Sequence, residues 1–283
     1  GEGSVITVSS NESLNVAARL LKVELQTLEK ELLTTTLTVG GEIVTRVLNP
    51  VQALDGKEAL MKALYDCEFQ WLIDKCNSIL DKEEATGNWI GLLDIFGFED
   101  FTVNSFEQLC INLANETLQN HYNTYIFQKD LDECRAEFPD NGPCIQLVTG
   151  KGGVIAMLDE ECSLGKGTDI SFLAKMTTSC QGSGFFVRKI LQKTSFTIRH
   201  YAGDVSYEVE NFLDKNRDTL KDAFKLLVRN SSDPFIASLL PEPSDAKRIT
   251  VGGFFKTQLK DLMDLINSTN PHWIRCIKPH PAK

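Results

Sequence analysis

The 283-residue sequence contains no apolar run of the about 18 residues that a membrane-spanning helix needs. It contains no Cys-x-x-Cys pair. Its eight cysteines, Cys67, Cys76, Cys110, Cys134, Cys144, Cys162, Cys180 and Cys276, are scattered, so neither a zinc site nor a dense disulfide framework is expected and a reducing cytosol is the expected compartment. There is no long Lys/Arg stripe. Lys plus Arg number 29 and Asp plus Glu 39, a net charge of −10, and an acidic chain of this kind is a poor partner for nucleic acid. No G-x-x-x-x-G-K-[ST] segment occurs, and Gly150-Lys151-Gly152-Gly153 is read as a loop and not as a phosphate cradle. The four histidines, His121, His200, His272 and His280, show no metal-ligand spacing, and a lone His near a strand end is read as structural. The start, Gly1-Glu2-Gly3-Ser4, has no basic region followed by an apolar block, so no signal peptide is expected. It also lacks Met, which suits a chain that begins inside a longer protein.

What the sequence does have is an ordinary globular composition, 42% hydrophobic and 24% charged, at a length that fits one large domain or two small ones. Ser9 and Glu12 form a capping box ahead of Leu14, Ala17, Ala18, Leu21 and Leu25, which predicts one or two short helices. The β-branched runs Thr34 to Thr38 and Ile43 to Val47, separated by Gly40-Gly41, predict a hairpin or protruding loop. Asp55 and Glu58 form a second capping box, with helix from about Gly56 to Leu80. Trp89 to Ile95 is continuously apolar. That pattern predicts a strand buried on both faces and hence an α/β fold.

Asn104, with Glu107, is read as the cap of a helix from Ser105 to about Ala136, which would be roughly 48 Å long. Residues 139–153 read as loop. Helices are expected over Ile155–Leu164, from Ser171, over Thr219–Val228 and over Gly253–Ile266. Strands are expected over Phe185–Val187, Phe196–His200, Val205–Val209 and Trp273–Ile277, with a turn at Gly203-Asp204.

The sharpest chemical feature is Asp94-Ile95-Phe96-Gly97-Phe98-Glu99 after the apolar run. A carboxylate at a strand end can approach a Mg²⁺-bound water, and a glycine just beyond lets backbone N–H come close to a phosphate. Glu99 could pair with an Arg and close a lid over the nucleotide. The other reading is an ordinary strand, turn and helix with a surface acid. On residue pattern alone Glu160-Glu161 is a solvated face, Lys247-Arg248 is a small basic end to a surface loop, and Phe106, Leu109, Leu113 and Leu118 are core packing.

The stretch Trp89 to Asn123, with Asp94-Ile95-Phe96-Gly97-Phe98-Glu99 and Asn104-Ser105-Phe106-Glu107-Gln108-Leu109-Cys110-Ile111-Asn112, closely resembles switch II and the start of the relay helix of the myosin motor domain. Three further stretches agree in order: Asp159 to Cys162 with Lys166 to Leu173, His200 to Val205 with Phe212 to Asp218, and Asn270 to Pro279.

The resemblance implies a partial myosin head, with a P-loop-NTPase-like mixed central sheet surrounded by helices. It implies an actin-side upper segment with the cardiomyopathy-loop region over residues 1–88, and the switch II strand and relay helix over 89–138. The lower domain with its actin-binding helix-loop-helix would occupy 139–184, transducer strands and a returning helix 185–240, a second surface loop 241–248, and a helix and central-sheet strand 249–283. The phosphate loop and switch I would precede residue 1, and the converter and lever would follow Lys283. The stretch alone is therefore expected to be inactive as an ATPase. The relay loop around Cys134–Pro143 and the surface loop Pro241–Arg248 are shorter than the family's.

For the complete motor the resemblance implies an actin-activated Mg²⁺-ATPase of the cytoplasm and actin cytoskeleton, with ATP and Mg²⁺ as cofactors. Asp94 would place Mg²⁺ through water, Gly97 would donate its N–H to the γ-phosphate, and Glu99 would pair with a switch I Arg and orient water. Filamentous actin would be met by Glu160, Glu161, Lys166, Thr168, Asp169, Lys247 and Arg248. A light chain or calmodulin would bind only through a lever outside this chain. The alternative implication is a catalytically inactive, actin-binding or scaffolding relative.

Overall fold

The computed structural model describes residues 3–39, 42–80, 87–130, 140–164, 166–188, 193–217, 220–242 and 249–274. In chain order the elements begin with helices α1 (Val8–Leu21) and α2 (Leu25–Leu33), strands β1 (Thr34–Val39) and β2 (Glu42–Val47), and helices α3 (Pro50–Leu80) and α4 (Phe106–Asp130). Helices α5 (Gly142–Thr149), α6 (Val154–Ser163) and α7 (Asp169–Cys180) follow, then strands β3 (Phe186–Val187), β4 (Ser195–His200) and β5 (Gly203–Glu208). Helices α8 (Phe212–Asn216), α9 (Asp222–Arg229), α10 (Pro234–Leu239) and α11 (Val251–Asn267) complete the elements of the described residues. The expected α/β class holds: among the described residues, a two-stranded and a three-stranded sheet sit among a larger number of helices. No helix of the described residues is long and apolar enough to cross a membrane.

The chain divides into two compact units. The first comprises residues 1–91 and 219–247. Its core joins Leu14 and Ala18 of α1, Leu28 of α2 and Leu60 of α3 to Phe224, Leu227 and Val228 of α9. Helix α1 is capped by Thr7, whose hydroxyl accepts from the Ser10 amide, and not by the Ser9–Glu12 box expected from spacing. It ends at Lys22 in the left-handed region, φ 53°, whose N–H closes the last turn onto Ala18 and Arg19. The expected hairpin is present as β1–β2, paired antiparallel from Thr34 with Val47 to Val39 with Glu42. Helix α3 starts earlier than the Asp55–Glu58 pair suggests. Asn49 accepts from the Gln52 amide at 2.9 Å, Gln52 Oε1 accepts from the Asn49 amide at 3.3 Å, and Pro50 follows as the first helical residue.

The second unit comprises residues 92–218 and 248–283. Strand β4 lies between β3 and β5, both pairings antiparallel. Strands β4 and β5 register Ser195 with Glu208 through His200 with Gly203, so the turn falls on Tyr201-Ala202, two residues before the expected Gly203-Asp204. Gly203 itself opens β5 at φ 140°, where a side chain would be strained. Phe196, Ile198, Tyr207, Phe172 and Phe212 are fully buried in one core with Phe106, Leu109 and Leu113 of α4; Leu118, assigned to the same stripe, is only half-buried.

Four expectations are corrected. The apolar run Trp89 to Ile95 is not a strand: it is irregular, with Ile90 93% and Leu92 91% exposed. Continuous apolarity makes a strand only where neighbours pair its edges and cover both faces, and the described residues supply neither. The described part of the expected last strand, residues 273–274, is likewise irregular. Residues 142–149, read as loop, form α5, with Pro143 in its first turn where a missing N–H costs nothing. The cap of α4 is Ser105, and not Asn104 with Glu107: Leu109 N–H donates to Ser105 O, and Ser105 N–H to Gln108 Oε1 at 2.9 Å. The long helix is found over 25 residues, roughly 38 Å; its expected continuation past Asp130 lies outside the described residues.

The start of α11 is pinned by a buried asparagine. Asn216, fully buried, donates to Asp159 Oδ1 at 2.9 Å and accepts from Gly252 N–H at 2.7 Å. A Cβ on Gly252 would lie 2.9 Å from Asn216 Oδ1 and 3.0 Å from Ile155 Cγ2, so only glycine allows this approach. Replacing Asn216 by Ala orphans the buried Gly252 N–H and leaves Asp159 Oδ1 with the Thr250 hydroxyl as its remaining donor. The expected outcome is a loss of about 2 kcal/mol, read from the urea midpoint by circular dichroism; an unchanged midpoint would mean that water replaces the amide without cost.

Candidate functional site

The segment from Asp94 to Asn104 has no helix or strand of its own, yet its second half is tightly held. The holding groups are side chains on the first three turns of α4. Asn115 donates to Phe96 O at 2.9 Å, and Gln108 Nε2 to the Glu99 carboxylate at 3.3 Å. Asn112 grips the Glu99 backbone from both sides: its Oδ1 accepts from Glu99 N–H at 2.8 Å and its Nδ2 donates to Glu99 O at 2.7 Å. Asn104 closes the far end. Its Oδ1 accepts from Phe101 N–H at 2.8 Å and its Nδ2 donates to Ser206 O at 3.2 Å, which ties the loop to β5.

Of the three residues singled out here, Glu99 is half-buried and oriented by Gln108, while Asp94 and Gly97 are exposed. Nothing described lies within 4 Å of where a Cβ on Gly97 would stand. Glu107, first taken as a capping partner, instead meets Lys215 at 2.8 Å, and the same lysine donates to Ser105 Oγ at 2.9 Å. Burial, with the Glu107 charge added, pushes the Cys110 thiol up to about 12, so it stays protonated.

Behind this loop lies a buried polar network that sequence reasoning passed over. Asn112 Nδ2 also reaches Tyr207 Oη at 2.9 Å; Tyr207 Oη lies 2.8 Å from His200 Nε2; His200 Nδ1 lies 2.8 Å from Glu116 Oε2. Asn141 donates to Glu116 Oε1 at 2.7 Å and the Tyr201 amide to Oε2 at 3.2 Å. Cys144 Sγ stands 3.9 Å from His200 Nδ1, its thiol pushed up to about 12 by burial and secondarily by the Glu116 charge. Glu116, Cys144 and His200 are residue types that hold metals, and their ligand atoms lie within 4.8 Å of one another. Both ring nitrogens and both carboxylate oxygens already have hydrogen-bond partners, so the cluster is a satisfied polar core. A signal for it was available. Asn112 and Glu116 follow Leu109 at the i+3 and i+7 positions of a buried helical stripe, where a polar residue needs an internal partner.

The second set of candidate residues falls on the helix pair α6–α7 and its connection. Glu160 is exposed and pairs with Lys175 at 2.6 Å. Glu161 is buried and accepts from Ser171 Oγ at 2.6 Å. Thr168 caps α7 in a reciprocal box with Ser171. Asp169 accepts from the backbone N–H groups of Asn211 at 2.8 Å and Leu213 at 2.9 Å, holding the turn into α8. Lys166 is exposed, and Leu164 and Ile170 flank the connection with 49% and 56% of their surface free. Lys247 and Arg248 lie outside the described residues.

The family model described as myosin head (motor domain) matches residues 2–283. Among similar proteins, Myosin-17 of Arabidopsis thaliana is 39% identical over 285 residues, covering 96% of this chain and 19% of that protein. Myosin-6 of the same plant is 40% identical over 280 residues, covering 94% of this chain and 19% of that protein. The Myosin-I heavy chain of Dictyostelium discoideum is 37% identical over 295 residues, covering 98% of this chain and 12% of that protein. The chain thus spans a fifth or less of the length of these curated relatives. With nearly every residue inside the family match, the chain belongs to the myosin head (motor domain) family.

Proposed function

We propose that the chain is part of an ATP-driven, actin-based motor of the cytoplasm and actin cytoskeleton. In this reading residues 94–99 sense nucleotide and α4 carries the response away. The observation that carries the reading is the lacing of that loop onto α4 by Asn112, Asn115 and Gln108. A displacement at Gly97 or Glu99 moves the start of a stiff helix roughly 38 Å long or breaks those bonds.

The residues fit one side of a Mg²⁺-nucleotide site. Gly97 is exposed, with room for a phosphate oxygen where a side chain would stand, and Asp94 is an exposed carboxylate three residues away. When bound, MgATP supplies the phosphoanhydride to be cleaved. Asp94 would hold a water of the Mg²⁺ shell, Gly97 would donate its N–H to the γ-phosphate, and Glu99 would pair with an arginine from elsewhere in the motor and orient the attacking water. Gln108 holds one Glu99 oxygen, which leaves the other to face that water. Catalysis of this kind is positioning and electrostatics. Light chain or calmodulin binding is assigned to a lever outside this chain.

For actin we assign the α6–α7 connection. Glu161, Asp169 and Thr168 shape it through internal bonds, while Lys166, Glu160, Leu164 and Ile170 form its exposed surface. Lys247 and Arg248 are assigned to the first, electrostatic encounter with an acidic filament.

Three outcomes are expected in the complete motor. Glu99→Ala leaves ATP binding nearly intact and slows the hydrolysis step by about a hundredfold or more, measured by single-turnover quench; cleavage at the wild-type rate would remove Glu99 from the site. Leu164→Ser with Ile170→Ser raises the dissociation rate from filamentous actin about tenfold at unchanged association rate. Neutralising Lys247 and Arg248 does the converse, slowing association and flattening its salt dependence in stopped-flow mixing. Equal effects of both variants on both rates would remove the division of labour.

A further inference from the structure

We propose that Asn112, Tyr207 and His200 are positioning residues for Glu99, linked in a hydrogen-bond chain of fixed direction in which His200 is neutral and carries its proton on Nδ1. The functional part rests on the role of Glu99 proposed above; the direction of the chain follows from donor and acceptor chemistry alone.

The starting point is the Asn112 carboxamide, which is fully buried. Glu99 N–H needs an acceptor and Glu99 C=O needs a donor, so the amide can sit only one way, with Oδ1 toward the N–H and Nδ2 toward the carbonyl. The second hydrogen of Nδ2 then points to Tyr207 Oη, 2.9 Å away. Tyr207 is also fully buried, and burial pushes its phenol pKa up, so the hydroxyl keeps its hydrogen. That hydrogen cannot return to Nδ2, which is a donor. Its acceptor is His200 Nε2 at 2.8 Å. Nε2 must therefore present a lone pair, and a neutral imidazole then holds its proton on Nδ1. Nδ1–H meets the Glu116 carboxylate at 2.8 Å. The chain ends on an anion that also accepts from Asn141 and from the Tyr201 amide.

Direction matters because each link can be satisfied in one sense only. A second proton on His200 would aim an N–H at Tyr207 Oη, which already accepts from Asn112. The phenol hydrogen would then have no acceptor among the described residues. The groups facing the ring are Glu116 from α4, Cys144 from α5, Tyr207 from β5 and the Phe98 ring, its centroid 5.4 Å away, and none of them offers the phenol hydrogen another acceptor. The chain thus joins the peptide of Glu99 to α4, α5 and the β4–β5 hairpin, and fixes where that peptide stands.

The test uses the complete motor without nucleotide and reads hydrogen–deuterium exchange at the Glu99 amide by mass spectrometry of peptides across residues 96–104. Tyr207→Phe removes one oxygen and the link between Asn112 and His200. His200→Asn keeps a donor near the Nδ1 position but offers Tyr207 nothing; His200→Gln keeps an acceptor near the Nε2 position but gives up Glu116. Tyr207→Phe and His200→Asn are expected to speed exchange at Glu99 roughly fivefold, whereas His200→Gln stays near wild type. Single-turnover hydrolysis is expected to slow in the same order.

Equal exchange in the two His200 variants would reduce His200 to a space-filling part of the core and overturn the chain. Protection at Glu99 unchanged by Tyr207→Phe would overturn it as well, and that variant decides alone if a His200 variant fails to fold. The two layers fail separately: if Glu99→Ala leaves hydrolysis unchanged, the catalytic reading falls, while the order of exchange rates still decides the chain. Faster exchange at Glu99 with unaltered hydrolysis, where Glu99→Ala does slow it, would overturn the positioning role.

Discussion

A buried carboxamide facing a peptide group is the constraint on which the second unit depends. Asn112 has no exposed surface, so both ends of its amide must be satisfied inside the protein. The peptide of Glu99 offers one donor and one acceptor at the right spacing, and the match admits one register. Shifting the loop by a residue would leave several buried polar groups unpaired, at about 1–3 kcal/mol each. That is a large fraction of the stability of an ordinary domain. The loop needs no ladder of its own because a helix side chain supplies the equivalent of one ladder rung.

The same device recurs. Asn104 joins the 96–104 loop to β5, Asn141 joins the start of α5 to Glu116 of α4, and Asn216 joins α8 to α6 and α11. All are buried, and each stands where an irregular segment meets a regular element. Asparagine suits this work because its side chain reproduces a peptide group on a short, stiff stem. Apolar packing of Phe106, Phe172, Phe196 and Phe212 supplies most of the driving force. It is tolerant of small sliding, however, and the amides are not. Packing brings the elements together, and the amides choose among the near-equivalent ways of bringing them together.

Much of this was legible in the sequence where a residue's behaviour is decided by its neighbours along the chain. The hairpin at residues 34–47, the helices over 154–163 and 251–267 and the β4–β5 hairpin follow from local period and turn chemistry. The capping boxes were misplaced by one to several residues, because Thr7, Asn49 and Ser105 compete with nearby residues of the same chemistry and only backbone geometry decides between them. Trp89 to Ile95 failed for the opposite reason: whether an apolar run becomes a strand is settled by what lies beside it, which composition cannot report. At the candidate site, Glu99 and Gly97 stood out by their motif. Tyr207, Glu116 and Asn141 did not, because a residue that acts through a contact distant in sequence leaves no mark in its own surroundings. His200 was visible and was set aside as structural; the bonds to Glu116 and Tyr207 give that structural role a direction.

The energetics of the lacing bound what it can transmit. Four hydrogen bonds join residues 96–99 to α4: one from Asn115, two through Asn112 and one from Gln108. At about 1 kcal/mol each they resist separation of loop and helix by about 4 kcal/mol. Moving a two-state equilibrium from 1:99 to 99:1 takes about 5.5 kcal/mol. The lacing alone therefore couples the loop to the helix strongly but not completely. The Tyr207–His200–Glu116 connection narrows the difference, because it fixes the Asn112 amide against the hairpin and makes loss of the Glu99 contact a loss of several satisfied groups together. A loop held only through Asn112 and Asn115 would separate from α4 in a measurable fraction of molecules; one that is also braced from behind keeps its place on the helix.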